Sequence, residues 1–211
     1  MVSRRRLDDR SLKRRAPTRQ PKHRILIVCE GQKTEPGYLK AFQHKVRNPR
    51  VHVEVAAETG VPRTVVEIAV RLRDEAEQEA KRERDENLRW DEVWGVFDID
   101  EHPNLDQART MARDHAIELA VSNPCFELWA LLHFQEHRAH MDRAKAREAL
   151  QQHLRDYDKS LDFAKMYPGY SDAVRRAQEL AREADIHGEP GRNPTTGVYR
   201  LTESIREGAV R

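Results

Sequence analysis

Cysteine is scarce in this chain. Its two residues, Cys29 and Cys125, lie in apolar stretches with no Cys-x-x-Cys spacing. That argues against a redox or zinc site and reads as two buried thiols. No stretch approaches the roughly 20 apolar residues of a membrane span, and the Arg-rich start lacks the apolar centre of a secretory signal, so the expected compartment is the cytoplasm, with no membrane partner. No Gly-rich phosphate loop of the nucleotide-triphosphate type is present, and no tyrosine stands in a recognisable nucleophile block, which argues against ATP-driven work and strand passage. Internal repeats are absent as well.

What the chain has in abundance is charge. Of its 211 residues 35% are charged and 38% hydrophobic, with both signs interspersed among well-formed apolar runs, the mark of an ordered protein with long solvated helices. The net charge of +2 conceals a lopsided distribution. Residues 1–24 hold ten Lys/Arg against two Asp, a net +8, which leaves 28 cations and 34 acids, a net −6, for the rest. The first 22 residues, with Arg4, Arg5, Arg6, Lys13, Arg14 and Arg15, lack apolar periodicity and read as a flexible basic arm. Such an arm either contacts nucleic-acid phosphates without sequence preference or is a passive leader. Residues 23–211 form the folded part.

Two segments carry the chemistry. Val93 to Phe97 reads as a buried strand that ends in Asp98 and Asp100, one residue apart. Strand side chains alternate, so both carboxylates can point the same way and offer hard oxygen donors to a divalent cation. Arg24 to Cys29 reads as a second strand, stopping at Glu30-Gly31. In a parallel sheet the carboxyl ends of the strands share one edge, which would bring Glu30, Asp98 and Asp100 together. Clustered acids repel one another, and a divalent cation is the simplest reason to cluster them. Lys33, just past Glu30, either contacts phosphate or is a solvated lysine at a helix start.

Elsewhere strands and helices alternate. Thr34 is the expected cap of a helix from about Glu35 to Lys45, Val51 to Ala56 alternates as an edge strand does, and Pro62 opens a long helix whose charged stretch Glu77 to Arg89 reads as a solvated end. A helix over 105–115 and a short strand over 117–121 follow. Asn123 is then the expected cap of a helix beginning at Pro124, which places Glu127 at the active edge among apolar neighbours, in either a metal-site role or a structural salt bridge. His133, His137 and His140 share i, i+4, i+7 spacing, a weak zinc signal, and read as surface residues. Residues 142–187 read as helices broken around 165–170. The loop 187–197, with Asn193 and Thr196, either contacts phosphate or is a plain turn and cap before a last helix.

Four ordered blocks, Ile25 to Pro36 with Glu30 and Thr34, Val96 to Asp100, Ser122 to Phe134 with Glu127, and Asn193 to Thr196, resemble the RloB family of prokaryotic defence-associated proteins. The strand-end glutamate with the Asp-x-Asp pair also resembles the wider Toprim superfamily. This resemblance implies an α/β fold, a Toprim-like mainly parallel sheet flanked by helices with additional C-terminal helices. It further implies Mg2+ or Mn2+ on Asp98 and Asp100, Glu30 acting at the reacting phosphate, and an ATPase partner encoded nearby. The first expectation is therefore a metal-dependent nuclease acting on DNA or structured RNA such as tRNA, with Glu30, Asp98 and Asp100 catalytic and Glu127 a further metal ligand. The second is a catalytically inactive Toprim-like sensor or scaffold that binds nucleic acid or an ATPase. Either is compatible with a homo-oligomer.

Overall fold

In this computed structural model residues 21–99 and 105–208 are described. The apolar run after His23 forms β1 (His23–Cys29), buried from Ile25 onward as a strand covered on both faces must be. It is followed by α1 (Thr34–Val46), β2 (Val51–Thr59), α2 (Pro62–Glu83), β3 (Glu92–Asp98), α3 (Leu105–Asp114) and β4 (Glu118–Asn123). The strands run in the order β2-β1-β3-β4, all parallel, and a two-residue antiparallel strand, β5 (Thr195–Thr196), closes the edge beside β4. This is the mainly parallel, helix-flanked sheet that the Toprim resemblance implied. The edge strand β2 buries Val51 and Val53 and exposes His52 and Glu54, the alternation expected of it.

Strand alternation sorts the core into two layers. Leu26, Val28, Val93 and Phe97 pack against Val65 and Ala69 of α2 and Ala108 of α3. Ile25, Ile27, Trp94 and Val96 face the other way, onto α1 and the later helices. Those are α4 (Phe126–Leu132), α5 (Arg143–His153), the short α6 (Phe163–Met166), α7 (Tyr170–Ile186) and α8 (Val198–Glu207). Because α1 leaves β1 on one face and α3 leaves β3 on the other, the carboxyl ends of these neighbouring strands diverge into a crevice. This is the switch point at which open α/β sheets bind ligands.

Several local expectations are corrected. Lys33 rather than Thr34 is the cap residue of α1, because the Thr34 hydroxyl donates to the Lys159 carbonyl instead. Asn123 is the last residue of β4 and donates its side-chain amide to the Gly191 carbonyl, so it caps nothing; α4 begins at Phe126. The charged run after Glu77 is mostly exposed, as a solvated helix end is, but α2 stops at Glu83 after burying Ala80, and a 3-10 turn follows at Glu86–Leu88. Thr195 and Thr196 lie in β5, and Gly197 precedes α8.

The histidine reading changes most. Since α4 ends at Leu132, His133, His137 and His140 share no helical face. His133 is 4% exposed, wedged among Tyr38, Trp129 and Tyr170. Its Nδ1 donates to the Met166 carbonyl (3.0 Å), which leaves Nε2 to accept from the Tyr38 hydroxyl (3.2 Å). A neutral ring satisfies both partners. Gly169 fits beside it because a Cβ there would overlap the His133 carbonyl oxygen.

Burial pushes the His133 pKa down from 6.5 to about 4. The unfolded chain therefore binds this proton first, and the stability His133 contributes is lost as pH falls from about 6.5 to about 4. The loss amounts to about 3 kcal/mol by linkage. Asp98 and Glu35, whose folded pKa values are raised, titrate in the opposite sense. The measurement is therefore urea unfolding of wild type and His133→Gln across this window. The gap between them should narrow toward pH 4, and a constant gap would refute the buried neutral ring.

Candidate functional site

The site begins where β1 stops. Glu30 is the first residue beyond the strand, and its backbone N–H still donates to the Val96 carbonyl of β3 (2.9 Å). Held there, its carboxylate accepts the Asp98 backbone N–H through Oε2 (3.0 Å), joining residues 68 positions apart. Asp98 ends β3, 7% exposed, and its Oδ2 accepts from the Arg143 guanidinium on α5 at 2.7 Å. These groups lie in an open cleft of about 790 Å³ at the β1/β3 switch point.

Two further acids line its interior, and a buried tyrosine holds one of them. Glu35, in the first turn of α1, is buried and folds its carboxylate back onto its own N–H and that of Gly31. Gly31 permits this approach, since a Cβ there would come within 2.5 Å of Glu35 Oε2. Glu127, the one residue of α4 that is not buried, turns into the cleft and accepts from the Tyr157 hydroxyl (2.7 Å). Tyr157 is 3% exposed; burial and the adjacent Glu127 keep its hydroxyl protonated, and so a donor.

These carboxyls load one another. Burial pushes Asp98 well above the usual carboxylate range, Arg143 pulls it back, and Glu35, Glu30 and Glu127 push it up again. Glu35 is raised by burial, against its two backbone hydrogen bonds, with Glu30 and Glu127 adding to the rise. The cationic side of the cleft consists of Lys33, Arg143, Arg147 and Lys159.

Of the residues singled out in the sequence, Glu30, Lys33, Thr34, Asp98 and Glu127 come to this one cleft. Asn193 and Thr196 do not. The Asn193 side chain pairs with both backbone groups of Met141 (3.0 and 2.7 Å), and Thr196, 2% exposed, bonds the Ser122 hydroxyl. Both are committed to holding the fold, which corrects the expectation of phosphate contacts. Asp100 and the arm residues Arg4, Arg5, Arg6, Lys13, Arg14 and Arg15 lie outside the described residues. Sequence reasoning missed Glu35, Arg143, Arg147, Tyr157 and Lys159. A carboxylate in the turn after a strand-end Glu-Gly was a usable signal for Glu35, whereas α5 and the loop after it carry no local pattern that marks them as facing the sheet edge.

The donors suit a hard cation such as Mg2+ or Mn2+, which takes carboxylate oxygens. Glu30 and Asp98 both line the cleft and can supply such oxygens, and the mutual repulsion around buried Asp98 is what a divalent ion would relieve. Among the described residues no group of three His, Cys, Asp or Glu side chains closes into a metal cage, and the third expected ligand, Asp100, is not among them. Compared with known proteins, the chain matches one family model, described as RloB-like protein, over residues 25–205. No curated protein and no solved structure matches it.

The tight seat of Glu35 against Gly31 has a measurable cost. Gly31→Ala should destabilise the protein by about 1–3 kcal/mol, as overpacking does, and adding Glu35→Ala should recover most of that loss because it removes the opposing carboxylate. Thermal or urea unfolding of the four-member cycle reads this. Additive losses would contradict the close approach.

Proposed function

The chain belongs to the RloB-like protein family, and from that premise we propose that it is a metal-dependent nuclease hydrolysing phosphodiester bonds of DNA or structured RNA, such as tRNA, in an anti-phage defence system. The observation that carries this reading is the meeting of Glu30 and buried Asp98 at the switch point of a parallel sheet, inside an open cleft. Glu30 and Asp98, with Asp100, would hold Mg2+ or Mn2+. When bound, that ion neutralises the acids and polarises the scissile phosphate. Glu30 holds or returns a proton at its carboxylate as water attacks. Lys33 and the Thr34 backbone, which line the cleft, would contact that phosphate. Tyr157 fixes the carboxylate of Glu127, which would help position a second ion or its water. A cytoplasmic setting and an ATPase partner encoded nearby complete the proposal.

One observation favours a second reading. The Arg143 guanidinium already supplies Asp98 with a positive partner, as a site that works without metal would require. A nucleic-acid- or ATPase-binding sensor would need no more than this. Cleavage decides between them. Wild-type protein with Mg2+ or Mn2+ should cut labelled DNA or tRNA, and Asp98→Asn or Glu30→Gln should lower the rate about a hundredfold or more, the usual scale for losing one acid–base or ligand group. Calorimetric titration with Mn2+ should show weaker binding in both variants. Binding of nucleic acid with no metal-dependent cleavage would select the sensor.

Glu127→Gln gives a separate readout. It keeps the side-chain volume and an acceptor for Tyr157 while removing the charge, so cleavage at low Mg2+ should fall without a change in melting temperature. Unchanged cleavage would return Glu127 to a structural role.

A further inference from the structure

The acids and the cations of the cleft lie at different depths. Asp98 and Glu35 are buried at its floor, whereas Lys33, Arg147 and Lys159 are exposed at its mouth and the Arg143 side chain spans the two, half in contact with solvent. Arg143 and Arg147 are one helical turn apart on α5, so they present to the same side. Lys159 follows from the loop after α5, which is tied across the cleft by the Thr34 hydroxyl on its carbonyl and by Tyr157 on Glu127. Apart from the Arg143–Asp98 pair, little of this charge is consumed by neighbours. Lys33 and Lys159 make no ion pair among the described residues, and Arg147 has a loose one at 3.9 Å to Asp158, a side chain 94% exposed. Such a pair is worth little.

A polyanion approaching a floor of carboxylates is repelled unless cations meet it first. We infer that Arg143, Arg147 and Lys159 form a phosphate-binding wall, which holds the backbone of a nucleic-acid strand along α5 and sets a phosphodiester over the floor between Glu30 and Asp98. This rests on the nucleic-acid reading of the site and adds to it how the strand is held: by its phosphates, through side chains on the helical C-terminal part, without base readout. The fixed loop gives the wall its spacing. Two cations one helical turn apart on α5 and a third on the loop after it offer separate phosphate contacts, as a strand requires.

The test compares full-length wild type with an Arg147→Gln/Lys159→Gln variant and with a charge-matched control, Lys81→Gln/Arg82→Gln, at the far end of α2. Equilibrium binding of a fluorescein-labelled single-stranded oligonucleotide is measured by anisotropy across a salt series, with Ca2+ in place of Mg2+ to suppress turnover. The wall variant should bind roughly ten- to thirtyfold more weakly at about 0.1 M salt, and its salt slope should flatten by about 1.4, the value for two lost single-strand phosphate contacts. The control should track wild type. Equal losses in both variants would mean that bulk charge is responsible, and no loss in the wall variant, or no binding by wild type, would equally overturn the wall. A mononucleotide that competes as well as the oligonucleotide would overturn strand recognition. If the wall variant behaves as expected while wild type cleaves nothing with Mg2+ or Mn2+, the wall stands and the nuclease reading falls.

Discussion

The cleft depends on the latch between the ends of β1 and β3. Parallel pairing carries Cys29 alongside Val96, and the ladder continues one step beyond β1 through the Glu30 amide. The reciprocal bond, from the Asp98 amide to the Glu30 carboxylate, fixes that side chain as well as the backbone. Without this pairing the two acids would be surface residues on separate loops. With it they share one cleft in which Asp98 is largely desolvated, where its charge costs free energy until something positive neutralises it.

That cost organises the surroundings. The fold answers it from α5, an element that reaches back from the C-terminal part to set the Arg143 guanidinium on Asp98. It answers it again through backbone amides, which satisfy Glu35, and through the Tyr157 hydroxyl, which satisfies Glu127. Each acid thus has its own donor, so the cluster can persist at neutral pH while one face stays open to solvent.

The C-terminal helices are positioned by a different force. Tyr38, Phe42, Trp129, Tyr170 and the neutral ring of His133 pack together between α1, α4 and α7, with Tyr38, Trp129 and His133 edge to face, within the larger of the two core layers. Aromatic burial of this kind fixes the angle of α4, and hence the direction in which Glu127 leaves it. At the opposite end of the sheet, Glu92 is held below the usual carboxylate range: burial alone would raise it, but hydrogen bonds from Ser204, Trp94 and His23 prevail. That network joins β1, β3 and α8 away from the cleft.

How much of this was legible beforehand follows the range of the interactions. Apolar runs ending in acids are local signals, and they sufficed for β1, β3, the α/β class, and the candidacy of Glu30, Asp98 and Glu127, because period and strand-end position are written in consecutive residues. Caps failed where a side chain had a distant rival partner: Thr34 turned to Lys159, and Asn123 to Gly191. The same cause took Asn193 and Thr196 out of the candidate site, since Met141 and Ser122 claim them. His133 looked like a surface residue because nothing near it in sequence reveals that Tyr38 and Met166 will enclose it. The sequence by itself determined which strands end in carboxylates. Tertiary structure alone decided that Arg143, Arg147 and Lys159 face those carboxylates, because opposition across a cleft depends on where α5 docks, and docking is settled by the apolar faces of helices rather than by the charged residues they carry.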